Sequence, residues 1–282
     1  MKIDAEFNRV LQKSSARIEN RRRLCFHLDM AKVSLAQIVG HSEKLLKTEQ
    51  FSDWDGAVNG LQAENSGVVT RIAAAVDASL ATIKLAIAER ADLMIVHHGL
   101  FWGKTIPWTG KRREMLQLLL ENNLAVYSSH LPLDAHPRLG NNAQLCRALG
   151  FKNLKPFFLS KGREIGWQTR TSIPRGQLAG RLSDILGRAP TLLPGGSDRC
   201  ERIGVVTGGA GAEMKIAADE GVDTFITGEG PHWTYALAED LGLNVFYGGH
   251  YATETFGVKA LSAELSKAFH IPWTFIDHPT GL

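Results

Sequence analysis

Residues Arg71–Trp102, RIAAAVDASLATIKLAIAERADLMIVHHGLFW, decide the fold. The apolar run Ile72–Val76 reads as a buried strand. Asp77-Ala78-Ser79 makes a small-residue turn, and apolar residues then recur at helical spacing over Ala81–Arg90. A second apolar run, Leu93–Val96, ends on His97-His98. Strand, helix and strand in this order predict a βαβ unit with parallel strands.

The same plan recurs farther along. Arg202–Trp233 lies on Arg71–Trp102 without a gap, and Arg71, Ile72, Lys84, Ala86, Glu89, Asp92, Ile95, Gly99 and Trp102 meet identical residues. The second copy reads as a strand at Ile203–Val206, a turn at Gly208-Gly209-Ala210-Gly211, a helix near Ala212–Glu220 and a strand at Thr224–Thr227. After a change of length the match resumes. Val126-Tyr127-Ser128-Ser129-His130 resembles Phe246-Tyr247-Gly248-Gly249-His250, so His130-x-x-x-Asp134 corresponds to His250-x-x-x-Glu254. Helices are expected after each, at Asn142–Leu149 and Thr255–Phe269. The expected fold class is α/β, two similar βαβ-based units at 31–152 and 153–282, with a metal site at strand exits between them.

Parallel sheets bind ligands at the carboxyl ends of their strands. His97, His98, His130 and His250 each follow an apolar run, and Asp134 and Glu254 come shortly after. Neutral imidazole and carboxylate suit borderline divalent ions such as zinc, iron or manganese. Two such ions side by side need a bridging carboxylate to screen their repulsion, and their open positions can activate water. Neighbouring residues of an extended segment point in opposite directions. His97 and His98 then serve different ions, unless a turn brings both to one. Each residue also has an ordinary use: His130 as a helix cap, Asp134 ending a turn near Pro132 and Pro137, Glu254 at a helix N-terminus. Their joint placement is what points to metal.

The rest of the chain sets limits. It has 282 residues, 44% hydrophobic and 22% charged, enough for a sizeable core. A net charge of +3, with acids and bases intermixed, disfavours nucleic acid as a partner. Cys25, Cys146 and Cys200 are odd in number and far apart, which speaks against a disulfide framework and for a reducing compartment. There is no apolar run of transmembrane length and no signal-peptide core, so the expected location is cytoplasmic, with no membrane partner. Residues 1–30 carry Arg21-Arg22-Arg23 and little apolar periodicity, and are expected to form a poorly ordered basic extension, with Met30 as an alternative start. No phosphate-cradling Gly-x-x-x-x-Gly-Lys-Ser/Thr motif occurs, and the turn at Gly208–Gly211 is only a weak anion signal.

Several short motifs occur together: Asn59-Gly60-Leu61-Gln62, Ile95-Val96-His97-His98-Gly99, His130-Leu131-Pro132-Leu133-Asp134-Ala135-His136-Pro137, Gly140-Asn141-Asn142-Ala143-Gln144-Leu145, Thr227-Gly228-Glu229 and Gly249-His250-Tyr251-Ala252-Thr253-Glu254. In these the chain resembles the GTP cyclohydrolase 1 type 2 homologues, the Nif-three-like proteins, over about residues 33–278. His130–Leu145 looks most like the bacterial YbgI-type branch. The resemblance implies metal ligation by His97, His98, Asp134, His250 and Glu254, with Glu254 as the bridge. It also implies two divalent ions per chain and a ring-shaped homohexamer. His130 and Glu229 are then supporting or acid/base groups. Many members carry His-His-Pro; this chain and the YbgI-like branch carry glycine, here Gly99. The activity implied is hydrolysis by a metal-dependent, cyclohydrolase-like or phosphoesterase chemistry on a small molecule or nucleotide. The alternative is a non-catalytic metal-binding protein or an oligomeric scaffold for partners.

Overall fold

The computed structural model describes residues 32–104 and 106–282. The expected extension at residues 1–30 lies outside the described residues. In chain order the elements are β1 (Val33–Ser34), α1 (Leu35–Leu46), β2 (Gly60–Ala63), β3 (Val68–Val69), β4 (Ile72–Asp77), α2 (Leu80–Ala88), β5 (Leu93–His98), α3 (Gly110–Glu121), β6 (Ala125–Ser128), α4 (Leu131–Asp134) and α5 (Asn141–Ala148). There follow β7 (Lys155–Ser160), β8 (Arg163–Pro174), α6 (Arg175–Leu186), β9 (Thr191–Pro194), β10 (Arg199–Val205), α7 (Met214–Asp219), β11 (Thr224–Thr227), α8 (Thr234–Asp240), β12 (Asn244–Tyr247), α9 (His250–Phe269) and β13 (Trp273–Phe275).

Two mixed sheets carry the α/β fold. One has the order β13-β4-β5-β6-β2 and the other β7-β8-β10-β11-β12-β9. In the first, β13, β4, β5 and β6 run parallel and β2 closes the edge antiparallel. In the second, β10, β11 and β12 run parallel, with β8 and β9 antiparallel on either side. β13 lies beside β4, so the chain returns to the first sheet across the boundary expected at residue 152.

The central strands are buried on both faces, which is why they read as continuous apolar runs rather than alternating ones. Ala73, Ala75, Met94 and Val96 pack with Ile83, Ala86 and Leu119 into one core. The long helix α9 packs against β4 and β5. Each large aliphatic side chain buried in this way contributes about 1.5–3 kcal/mol. In the second sheet, Ile203, Val205, Ile226 and Phe246 pack with Leu178 and Leu182 of α6.

Residues that match between the two segments do the same local work. Asp92 accepts hydrogen bonds from the backbone N–H of Thr70 (2.6 Å) and Arg71 (3.1 Å). Asp223 accepts them from Glu201 (3.1 Å) and Arg202 (2.8 Å). Each aspartate ties the entry of one parallel strand to the start of the next. The helices between differ. α2 starts with a reciprocal capping box in which Ser79 Oγ accepts from Thr82 N (3.2 Å) and Thr82 Oγ1 accepts from Ser79 N (2.9 Å). The expected helix at Ala212–Glu220 instead opens with a 3-10 turn at Ala210–Glu213, and the α-helix begins at Met214.

A candidate metal centre where the two sheets meet

β5 continues through both histidines, so His97 and His98 are its last two residues rather than the start of a loop. His97 is fully buried and His98 partly exposed. Their rings are 4.8 Å apart between centroids, so both turn toward one region. β6 ends at Ser128, and His130 precedes the short helix α4, which ends on Asp134.

From the second sheet, β12 leads through Gly248 and Gly249 into α9. The helix was expected to start after Glu254. It starts at His250, because Gly249, at φ 97°, takes a turn that a side chain would resist. His250 and Glu254 therefore stand one turn apart on the same face. Glu254 points inward, 2% exposed, and is not a helix-end charge facing solvent.

Glu254 is the centre of the arrangement. Its Oε1 lies 3.4 Å from His97 Nε2, and its Oε2 lies 3.3 Å from His98 Nε2 and 3.1 Å from His250 Nε2. Asp134 Oδ2 lies 3.4 Å from His97 Nε2. Gly208, at φ 73°, passes so close that a Cβ there would collide with Glu254 Oε1. That close passage is what the glycine-rich turn provides. Two of its amides are engaged within the protein, Gly208 N with Thr253 Oγ1 (3.1 Å) and Gly211 N with Glu229 O (3.0 Å), and are not turned to an anion.

Every histidine of the cluster is held from behind by an acceptor on Nδ1. Ser129 O holds His97 (2.9 Å), Asp77 Oδ1 holds His98 (2.9 Å), Asp53 Oδ1 holds His130 (2.7 Å) and Glu229 Oε1 holds His250 (2.9 Å). This orients each ring, the usual backing of a metal-binding imidazole. Glu229 was expected near the site, and it is found behind His250. Asp53 and Asp77 were missed in the sequence. Asp77 ends a strand, which was a usable signal; Asp53 sits in irregular chain before Gly60 and gave none.

The other motifs resolve into supports. Asn59 Oδ1 accepts from His130 N (2.7 Å), and Asn59 Nδ2 donates to Asp53 Oδ2 (2.8 Å). Gln62 Oε1 accepts from Leu100 N (2.5 Å), and its amide fills the space a side chain on Gly99 would need. Buried Asn141 donates to Asp134 Oδ1 (2.8 Å) and accepts from Gly257 N of α9 (2.6 Å). Asn142 accepts from Thr207 N (2.6 Å) and donates to Ile165 O (2.7 Å), joining α5 to the second sheet.

The electrostatics call for positive charge. Burial disfavours the charged form of His97, yet Asp134 and Glu254 outweigh it and raise its pKa well above the usual imidazole value. His250 is raised to about 9 against burial by Glu254 and Glu229. Glu254 is held well below the carboxylate range, again against burial, by His97, His98 and His250. Asp53 is lowered to about 2, because its contacts with His130 and Asn59 exceed the cost of burial.

The residues fit a divalent cation. His97 Nε2 and Glu254 Oε2 are buried and make no hydrogen bond among the described residues, although their neighbours lie within 3.4 Å. Spacings of this size match ligand-to-ligand edges around an ion bonded at about 2.1 Å. His98, His250 and Glu254 form one group that could hold an ion, and His97, His98 and His130 form another. A cleft of about 210 Å³ opens on His98, His130, Asp134, His250 and Glu254. A larger hollow of about 630 Å³ beside Arg188, Lys259 and Asp277 brings together no such group among the described residues.

Fold and site thus define an α/β protein with a largely buried histidine–carboxylate cluster of a kind that could hold a metal ion. Residues 33–280 match the family Duf34/NIF3 (NGG1p interacting factor 3), and the chain belongs to it. It is 41% identical to the GTP cyclohydrolase 1 type 2 homolog of Deinococcus radiodurans over 232 residues, covering 81% of this chain and 88% of that protein. The crystal structure of TTHA1606 from Thermus thermophilus superposes with a TM-score of 0.82 at 39% identity, covering 89% of this chain and all of that one (100%). The solved structure of protein ybgI, of unknown function, gives 0.83 at 35% identity over the same shares, 89% and 100%.

Proposed function

We propose that the protein binds two divalent metal ions per chain and uses them for hydrolysis. His97, Asp134 and Glu254 would hold one ion and His98, His250 and Glu254 the other, Glu254 being shared between them. The observation that carries this reading is the carboxylate of Glu254, set between two groups of free nitrogen and oxygen atoms. Each expected α/β unit, 31–152 and 153–282, contributes ligands. Imidazole and carboxylate donors favour zinc, iron or manganese.

Ions bound there would polarise a substrate oxygen and lower the pKa of water. The remaining work falls to side chains. His130, pinned through Nδ1 by Asp53, keeps Nε2 for the cleft and there takes up or returns a proton. Glu229 orients His250 and, being half-exposed, can pass a proton to solvent. Nucleotides, other phosphoesters and cyclic amides are the substrate classes. The reading includes a cytoplasmic location and the homohexameric ring that the family resemblance implies. No described helix is long and apolar enough to cross a membrane.

The test is metal content per chain by elemental analysis, on wild type and Glu254→Ala purified without chelator, followed by a hydrolysis screen over those three classes. Near two ions per chain, falling sharply in the variant, with turnover in the screen, is the expected result. Little or no metal after reloading with zinc, iron or manganese overturns the dinuclear reading. Two ions without turnover leaves a metal-binding or scaffold protein.

A further inference from the structure

The cleft over the cluster has two tryptophans at its mouth. Trp102 meets the ring of His130 edge-on at 4.8 Å and that of His98 at 5.6 Å. Trp54 lines the same cleft, directly after the Asp53 that holds His130. Trp54 is 45% exposed and Trp102 47%, so each offers apolar ring surface to the cleft. The loops that carry them pass close together, since a Cβ on Gly56 would collide with the backbone of Gly103. A tryptophan held beside a reacting centre with an open face provides a stacking surface for a flat ring.

Two further groups give the cleft polarity. Thr207, 6% exposed, lines the cleft, and its hydroxyl has no hydrogen-bond partner among the described residues. A buried hydroxyl without a partner costs stability unless a ligand supplies one. Lys161, in the β7–β8 turn, sets Nζ 4.7 Å from the centre of the Trp54 ring. It brings a positive charge to the rim, while Glu213 in the cleft wall disfavours an acid group on that side.

We propose that the cleft is specific for substrates built on a planar aromatic or heteroaromatic ring, with the ring against Trp102 beside the Trp54–Lys161 pair, a polar group on Thr207, an anionic substituent toward Lys161 and the reacting group toward Glu254. This rests on the reading of the cluster as the reacting centre. The ring site itself is made by residues outside the ligand set and can be tested separately.

The test compares 4-nitrophenyl phosphate with ethyl phosphate, which has the same charge and no ring. Binding is measured by tryptophan fluorescence quenching and calorimetry on zinc-loaded protein and again on chelator-stripped protein, with metal content recorded for every sample. Wild type is expected to bind the aryl ester about tenfold more tightly, the worth of one aromatic stack. Trp102→Leu should abolish that preference while keeping its metal and its melting temperature. Thr207→Val, a change of similar shape, should weaken the aryl ester severalfold. Equal affinity for both esters in wild type, or a preference that survives in Trp102→Leu and Trp54→Leu, overturns the proposal. Zinc-loaded protein that retains no metal, with the aryl preference intact in both preparations, would sink the dinuclear reading and leave the ring site standing.

Discussion

His250 and Glu254 stand one turn apart on α9, and His250 Nε2 lies 3.1 Å from Glu254 Oε2. The other oxygen of the same carboxylate faces His97, at the end of β5, at 3.4 Å. One side chain therefore joins groups carried by β5 and α9, and its charge matters more than its size. Glu254→Gln keeps the volume and removes the charge. It is expected to retain the fold and to lose both ions, as severely as Glu254→Ala. Elemental analysis together with circular dichroism checks this; a Gln variant that keeps two ions would remove Glu254 as the bridge.

The two ends of the carboxylate should also separate in experiment. Asp134 approaches only the His97 side and His250 only the Oε2 side. Asp134→Asn and His250→Gln are each expected to lose one ion of two and to keep the other, weakened by about 10–100-fold. Titration with a chromophoric chelator reads the stoichiometry. Loss of both ions in each variant would point to a single cooperative unit.

The protonation state of the cluster gives a pH dependence with a definite sign. In metal-free protein, His250 is raised from 6.5 to about 9 and His97 is raised as well. The stability that His250 contributes is fully present below pH 6.5 and is lost as pH rises through about 9, and His97 loses its contribution in the same direction. Glu254, lowered from 4.5, contributes stability above that pH and loses it in acid. The metal-free melting temperature should peak between these values and fall toward pH 9. Metal must displace the same protons, so its apparent affinity should climb with pH up to about 9. Thermal scans with and without zinc test both. A flat metal-free profile between pH 6.5 and 9 would show that the histidines are not held protonated by the carboxylates.

Much of the fold was legible because buried parallel strands leave continuous apolar runs, as at Ile72–Val76 and Leu93–Val96. The histidines and acids could be found because they lie at the exits of such strands. Three features were not legible. The start of α9 depended on the backbone turn at Gly249, so the sequence reading placed the helix after Glu254 rather than before it. The partner of His130 depended on Asp53, far away in the chain and in no regular element. The pairing of β13 with β4 carries no local signal, because nothing in Trp273–Phe275 names its neighbour.

Gly208 offers the sharpest test of how tightly the cluster is fitted. It holds φ 73°, a conformation that costs an ordinary residue about 1–2 kcal/mol. In addition, a Cβ would strike Oε1 of Glu254, and the carboxylate cannot retreat without leaving His97. Gly208→Ala is therefore expected to lower the melting temperature modestly and to reduce metal content much more than the stability loss accounts for. Gly187→Ala is the control, since it has a similar φ of 70° and open space around the added methyl. That variant should show the same loss of stability with metal retained. Equal metal loss in both would mean that backbone strain alone governs the site; metal loss in Gly208→Ala only would place the effect on Glu254.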